Sequence, residues 1–194
     1  MARRRRLGRS FYRRDPREVA PELLGKVLVR GPLSARIVEV EAYCGPIDPG
    51  SHAYRGMTKR NATMFGPPGH AYVYFTYGMH WCANAVCGAE GEGVAVLLRA
   101  AEPLTGLDEM RARRPRAKVD RDLCRGPARL CQAFGLDGRN DGADLVTADQ
   151  GVTIVDDGTP PPDHAVSTRI GLTAGAEHEW RWSVPGHPHL SRPA

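Results

Sequence analysis

Arg36-Ile37-Val38-Glu39-Val40-Glu41-Ala42-Tyr43 is the stretch on which the fold turns. Side chains alternate along a strand. Val38, Val40 and Ala42 then share one face and belong in a core, while Ile37, Glu39, Glu41 and Tyr43 share the other. Two carboxylates and a phenol side by side are an unusual filling for a strand face. A partly desolvated carboxylate has a raised pKa and can serve as a base or nucleophile. A solvated surface strand also accounts for the glutamates, but less well for Ile37 and Tyr43 around them.

Working outward, Asp15-Pro16 has the form of an N-cap followed by Pro at the first helical position, with Gly25 closing a short helix. Lys26–Arg30 reads as a strand that turns at Gly31-Pro32 into Ala35–Tyr43. Ala71–Tyr77 and Trp81–Cys87 flank Gly78 as a hairpin, and Gly93–Ala100 is a further apolar strand. Thr105-x-x-Asp108 has the capping-box form and predicts a helix to Arg114. Pro127–Phe134 is another helix, stopped by Gly135. Later strands are expected at Val152–Val155, Ser167–Leu172 and Trp180–Val184. Strands dominate and helices are few, so the expected class is α+β: one domain with a mixed or mostly antiparallel, curved sheet and scattered helices.

The 194 residues suit one domain, and the net charge of +5 is unevenly placed. Residues 1–17 carry eight Arg against one acid, which predicts a basic arm that is a candidate for disorder, ahead of a domain over 18–194. A second basic run comprises Arg111, Arg113, Arg114, Arg116, Lys118, Arg121 and Arg125. Such runs suit phosphate backbones, although they also occur as solvated tails and helix faces. The five Cys contain no CxxC pair, so no structural zinc site and no other metal or cofactor is expected. No apolar run is long enough to span a membrane, and the Arg-rich start lacks a signal peptide's apolar stretch, so the expected location is cytoplasmic.

Five of the six Tyr fall between residues 43 and 77, interleaved with Arg55, Lys59, Arg60, His52 and His70. Aromatic rings among cations are what a surface needs to stack bases and hold phosphates, though tyrosines also simply pack in strands. Alternation puts Tyr72, Tyr74 and Thr76 on one face, and Val73, Phe75 and Tyr77 on the other. Tyr77 precedes Gly78 at the hairpin tip, where an exposed ring can wedge between base pairs.

Taken in order, these segments resemble the alkyladenine (3-methyladenine) DNA glycosylase family. The likeness runs through Arg36–Tyr43, His52, Arg60-Asn61, Met64-Phe65, Ala71–Met79, Asn84, Val96–Pro103 and Gly126–Ala133, from about residue 8 into the 180s. The resemblance implies a single-domain fold with a curved, mostly antiparallel sheet and a protruding hairpin that enters the DNA minor groove. It places Glu41 where the family has its water-activating carboxylate and Arg99 where an arginine helps to hold the water. It places Tyr43, His52 and Tyr74 in the aromatic pocket for the extruded base, Asn84 beside them as a screen, and Tyr77 in the gap left in the duplex. The implied partner is double-stranded DNA containing damaged purines, bound by a monomer, and the implied reaction is hydrolysis of the N-glycosidic bond. Two alternatives stand beside it: a binding module of the same fold without chemistry, and a hydrolase of small nucleosides.

Overall fold

The computed structural model describes residues 4–192. Nine strands form one sheet: β1 (Arg5–Arg6), β2 (Val27–Arg30), β3 (Leu33–Cys44), β4 (Ala71–Thr76), β5 (His80–Cys87), β6 (Val94–Thr105), β7 (Val152–Asp156), β8 (Ala165–Ser167) and β9 (Arg181–Ser183). The main path runs β1-β7-β2-β3-β6-β5-β4, every pairing is antiparallel, and β8 and β9 join alongside β3. Four short helices pack on it: α1 (Arg9–Tyr12), α2 (Pro16–Leu23), α3 (Leu107–Arg113) and α4 (Pro127–Phe134). The class is the α+β arrangement expected.

β3 organises the sheet, and between Ile37 and Val40 its alternation is broken where β3 and β6 each carry one unpaired residue, Val38 and Arg99. Ile37 pairs with Ala101 and Glu39 with Ala100, so Val38 is an extra residue opposite β6. This bulge slips the phase by one. Leu33, Ala35 and Ile37 face the main core before it, and Val40, Ala42 and Cys44 face the same core after it. The strict alternation expected for this strand is therefore corrected: Ile37 is a core residue, and Val38 packs elsewhere, with Ala100 and Leu190. β3 also changes neighbour here. Its first half pairs with β2 and its second half with β9, while the Val38 carbonyl accepts from Val184 N–H at 3.0 Å.

Asp15 caps α2 by accepting from the Arg17 N–H at 2.8 Å, with Pro16 at the first helical position, as the sequence requires. α4 buries Leu130, Cys131, Ala133 and Phe134 in the core. Truncating a fully buried aromatic such as Phe134 costs about 3–5 kcal/mol.

Three local expectations are corrected. Residues 5–17 are not a loose arm: β1 pairs with β7, and Leu7 and Tyr12 are core residues. Apolar Leu7, Phe11 and Tyr12 among the arginines supply the reason; Met1–Arg3 lie outside the described residues. Thr105 does not cap α3, because it ends β6 and its hydroxyl donates to Pro32 O at 2.8 Å. Gly106, at φ 76°, makes the turn into the helix instead. The strand expected over 167–172 stops at Ser167, and the chain beyond it leaves the sheet. No helix among the described residues is long and apolar enough to cross a membrane.

Candidate active site

One row across the sheet builds the floor of a pocket. Arg181 pairs with Glu41, Glu41 with Leu97, Leu97 with Asn84 and Asn84 with Tyr72, spanning β9, β3, β6, β5 and β4. Residues directly opposite in antiparallel strands share a face. Steps of two along the same strands add Tyr43, Arg99, Tyr74 and Cys82. The result is a cavity of about 310 Å³ walled by Tyr43, His52, Tyr72, Tyr74, Asn84 and Arg99.

Glu41 is fully buried under this floor and is reached through its neighbours. Ile170 N–H donates to Oε1 at 2.8 Å, Arg99 Nη1 lies 3.1 Å from Oε1, and the Tyr43 hydroxyl donates to Oε2 at 3.0 Å. All three partners line the cavity. Among the described residues Oε2 has no further hydrogen-bond partner.

Glu39 has a different job from Glu41. It accepts from Arg99 Nε at 2.8 Å, Arg181 Nε at 2.9 Å, Ser191 N–H at 2.6 Å and Ser191 Oγ at 2.7 Å. Burial pushes its pKa up, but Arg99, the Ser191 hydrogen bonds and Arg181 outweigh burial and leave it lowered. Arg99 therefore spans both carboxylates, fixed by one and aimed by its other nitrogen at the second.

The aromatic walls are held edge to face. The His52 ring meets Tyr74 at a centroid distance of 4.5 Å and an interplanar angle of 79°, and its Nδ1 lies 3.1 Å from the Tyr72 hydroxyl. Tyr72 and Tyr74 stack at 5.3 Å. Burial raises the pKa of Tyr43 and Tyr74, and pushes Tyr72 up to about 12, so these rings stay neutral phenols. Burial, with Arg60 nearby, lowers that of His52, so it is neutral near neutral pH. Asn84 donates from Nδ2 to the Tyr72 carbonyl at 3.0 Å and makes no hydrogen bond through Oδ1 to any described residue.

Tyr77 stands at the tip of the β4–β5 hairpin. Met79 N–H bonds to Thr76 O at 3.2 Å, and Tyr77 and Gly78 have φ of 51° and 66°. Positive φ at both central residues is the type I′ turn that suits strand twist, and it strains a tyrosine by about 1–2 kcal/mol. The turn overrides the alternation that put Tyr77 on the face of Phe75: Tyr77 is 79% exposed and borders the pocket mouth.

Residues 10–188 match the protein family described as Methylpurine-DNA glycosylase (MPG). The chain belongs to that family. A relative from Burkholderia lata is 60% identical over 189 residues, covering 96% of this chain and 91% of its own. One from Streptomyces avermitilis is 50% identical over 192 residues, covering 95% and 90%. Another, from Rhodopseudomonas palustris (strain HaA2), is 46% identical over 187 residues, covering 96% and 90%. All three carry the name "Putative 3-methyladenine DNA glycosylase".

In this methylpurine-DNA glycosylase family member, the seven residues singled out from the sequence gather around one cavity, six lining it and Glu41 beneath. Sequence reasoning missed the far wall, Ile170, Gly171 and Leu172. Arg169 anchors that wall through a buried ion pair with Asp48, at 2.6 and 2.7 Å, and lies 4.7 Å over the Tyr43 ring. Gly50 lets the two loops close: a Cβ there would lie 2.8 Å from the Leu172 side chain and 2.9 Å from Ala174 O. No local pattern marks Arg169 or Asp48, which are 121 residues apart. Tyr72 was visible in the alternation of β4 but was not picked out from its neighbours. Among the described residues no group of three or more His, Cys, Asp or Glu is placed to hold a metal ion.

Proposed function

We propose that this chain removes alkylated or deaminated purines, such as 3-methyladenine, 7-methylguanine and hypoxanthine, from duplex DNA by hydrolysing the N-glycosidic bond. The observation that carries the proposal is Glu41 beneath a slot of aromatic rings, with Tyr77 projecting beside its mouth. A base inside a duplex is out of reach, so the nucleotide must rotate out, at a cost of a few kcal/mol. Tyr77 offsets part of that cost by filling the vacated stack. The extruded base then lies among Tyr43, His52 and Tyr74, where each stack contributes roughly 1–3 kcal/mol. Purines methylated at N3 or N7 are cationic, and neutral phenol rings attract them further. Asn84 Oδ1 is the polar group on the side wall that screens the base edge.

Breaking the glycosidic bond builds positive charge on the sugar, as in glycoside hydrolysis. Glu41 stabilises that charge and takes the proton of the attacking water, with Oε2, which accepts only from Tyr43, as the receiving oxygen. Arg99 holds the carboxylate in place from Glu39. No lysine lines the pocket, so no Schiff base forms there and the reaction is hydrolysis without strand cleavage.

The test is single-turnover excision from duplexes carrying one lesion each. Glu41→Gln is expected to bind lesion DNA normally and to lose excision. Unchanged excision would remove Glu41 from its role, and β-elimination product without heat or base would refute simple hydrolysis.

A further inference from the structure

The second basic run of the sequence takes no part in this chemistry, and the fold sorts its members. Arg111 pairs with Asp108 and Asp120, Arg113 with Glu109, and Arg125 bonds to the Leu190 carbonyl. Arg114 and Arg116 instead enter a cleft that they share with Arg129 of α4. No Asp or Glu lines that cleft. Arg116 and Arg129 have no ion pair or side-chain hydrogen bond among the described residues. Arg114 reaches Gln132 Oε1 from Nη1 at 3.1 Å, but its buried Nε has no acceptor. Burial, and then Arg129 beside it, push the Arg114 pKa down.

Three arginines thus line one cleft that has no carboxylate in its lining, one of them partly desolvated with Arg129 beside it and Asp122 acting only partly against that. Holding like charges this way is unfavourable unless an anion enters. A phosphate, with several acceptor oxygens, matches the planar fork of arginine. The position of the cleft is informative too. Met79, His80 and Trp81 form its other wall, at the tip end of the same hairpin that carries Tyr77. Tyr74 and Cys82 oppose each other on the pocket side of that hairpin, whereas Phe75 and Trp81 oppose each other on the reverse side, 4.9 Å apart. On α4, Pro127 borders the aromatic pocket and Arg129 the cleft. The cleft and the pocket are therefore back to back across one hairpin.

We infer that Arg114, Arg116 and Arg129 bind backbone phosphate of the duplex next to the extruded nucleotide, gripping the strand while Tyr77 enters the stack. The inference rests on the reading of the chain as a DNA-acting glycosylase. Phosphate contacts position a protein on DNA and carry no sequence information, so the cleft acts on lesion-free DNA as well.

The experiment measures affinity for an undamaged duplex as a function of salt. Arg116→Ala/Arg129→Ala should flatten the log–log slope by about 1.8, from roughly 0.9 per phosphate contact, so that affinity falls about tenfold less over a fourfold rise in salt. Arg111→Ala/Arg139→Ala removes the same net charge from exposed arginines already paired with aspartates, and should leave the slope unchanged. Arg116→Lys/Arg129→Lys should restore it, and single-turnover excision should be intact in the Arg111→Ala/Arg139→Ala protein. Equal slopes for the cleft variant and the wild type would overturn the inference while leaving the proposed function standing. Wild-type protein that binds duplex weakly and without salt dependence would overturn both.

Discussion

Replacing Glu39 with Gln tests the idea that the buried carboxylate pair is electrostatically balanced. Arg99, Arg181, Glu39 and Glu41 are all buried, two cations against two anions. Glu39 alone accepts four hydrogen bonds, two of them from Ser191. Gln keeps one oxygen for the guanidinium groups, but its amide nitrogen meets a Ser191 donor, and the cluster is left with one uncompensated positive charge. Breaking a buried pair in this way costs about 3–5 kcal/mol. Whole-protein stability is only about 5–15 kcal/mol. At about 2–4 °C per kcal/mol for a chain of this size, Tm should fall by about 6–20 °C. The pH dependence has a definite sign. The folded-state pKa of Glu39 lies below its ordinary value of 4.5. Its contribution is therefore complete above that value and is lost as pH falls through the folded pKa. Thermal melts of both proteins, from neutral pH downward, should show a gap that closes below pH 4.5. A gap of under about 2 °C at neutral pH, or one that stays constant in acid, would refute the reasoning.

Two further outcomes follow from the same structure. Arg169→Met leaves Asp48 buried without its partner and should cost about 3–5 kcal/mol; adding Asp48→Leu should recover stability in urea titrations but not lesion binding, because the 170–172 wall has lost its anchor. Tyr77→Gly removes a strained φ of 51°, so Tm should change little. Lesion excision should nevertheless fall about 5–150-fold, the worth of one lost stack of roughly 1–3 kcal/mol. A variant that melts early, or that excises at the native rate, would contradict that account of the tip.

Much of the fold was legible because short-range chemistry wrote it: the Asp15-Pro16 cap, the Gly78 hairpin and the apolar run of α4 are all local signals. The pocket's strand residues were legible for the same reason, since period-two alternation carries Tyr72 and Tyr74 to one face and the resemblance supplied Glu41, Asn84 and Arg99. The bulge was not. Nothing in Ile37-Val38-Glu39 distinguishes an extra residue from a regular one, because all three are buried and the difference is only which partner each faces. Loop contributions were hidden too. Ile170, Asp48 with Arg169, and Ser191 act through long-range hydrogen bonds that no sequence window contains. In the basic N-terminal segment charge outnumbers the few apolar residues, so the sequence pattern points to an arm, whereas burial of Leu7 and Tyr12 ties the segment to the core.

The extra residue at Val38 ties the length of β3 to parity. Insertion or deletion of a single residue elsewhere between Leu33 and Cys44 would turn one half of the strand inside out, sending either the carboxylates into hydrocarbon or the valines into the aromatic slot. Changes of two residues would keep inside and outside in place. Lineages of this fold should accordingly vary the length of this strand by even steps, and any odd step should be matched by a second bulge.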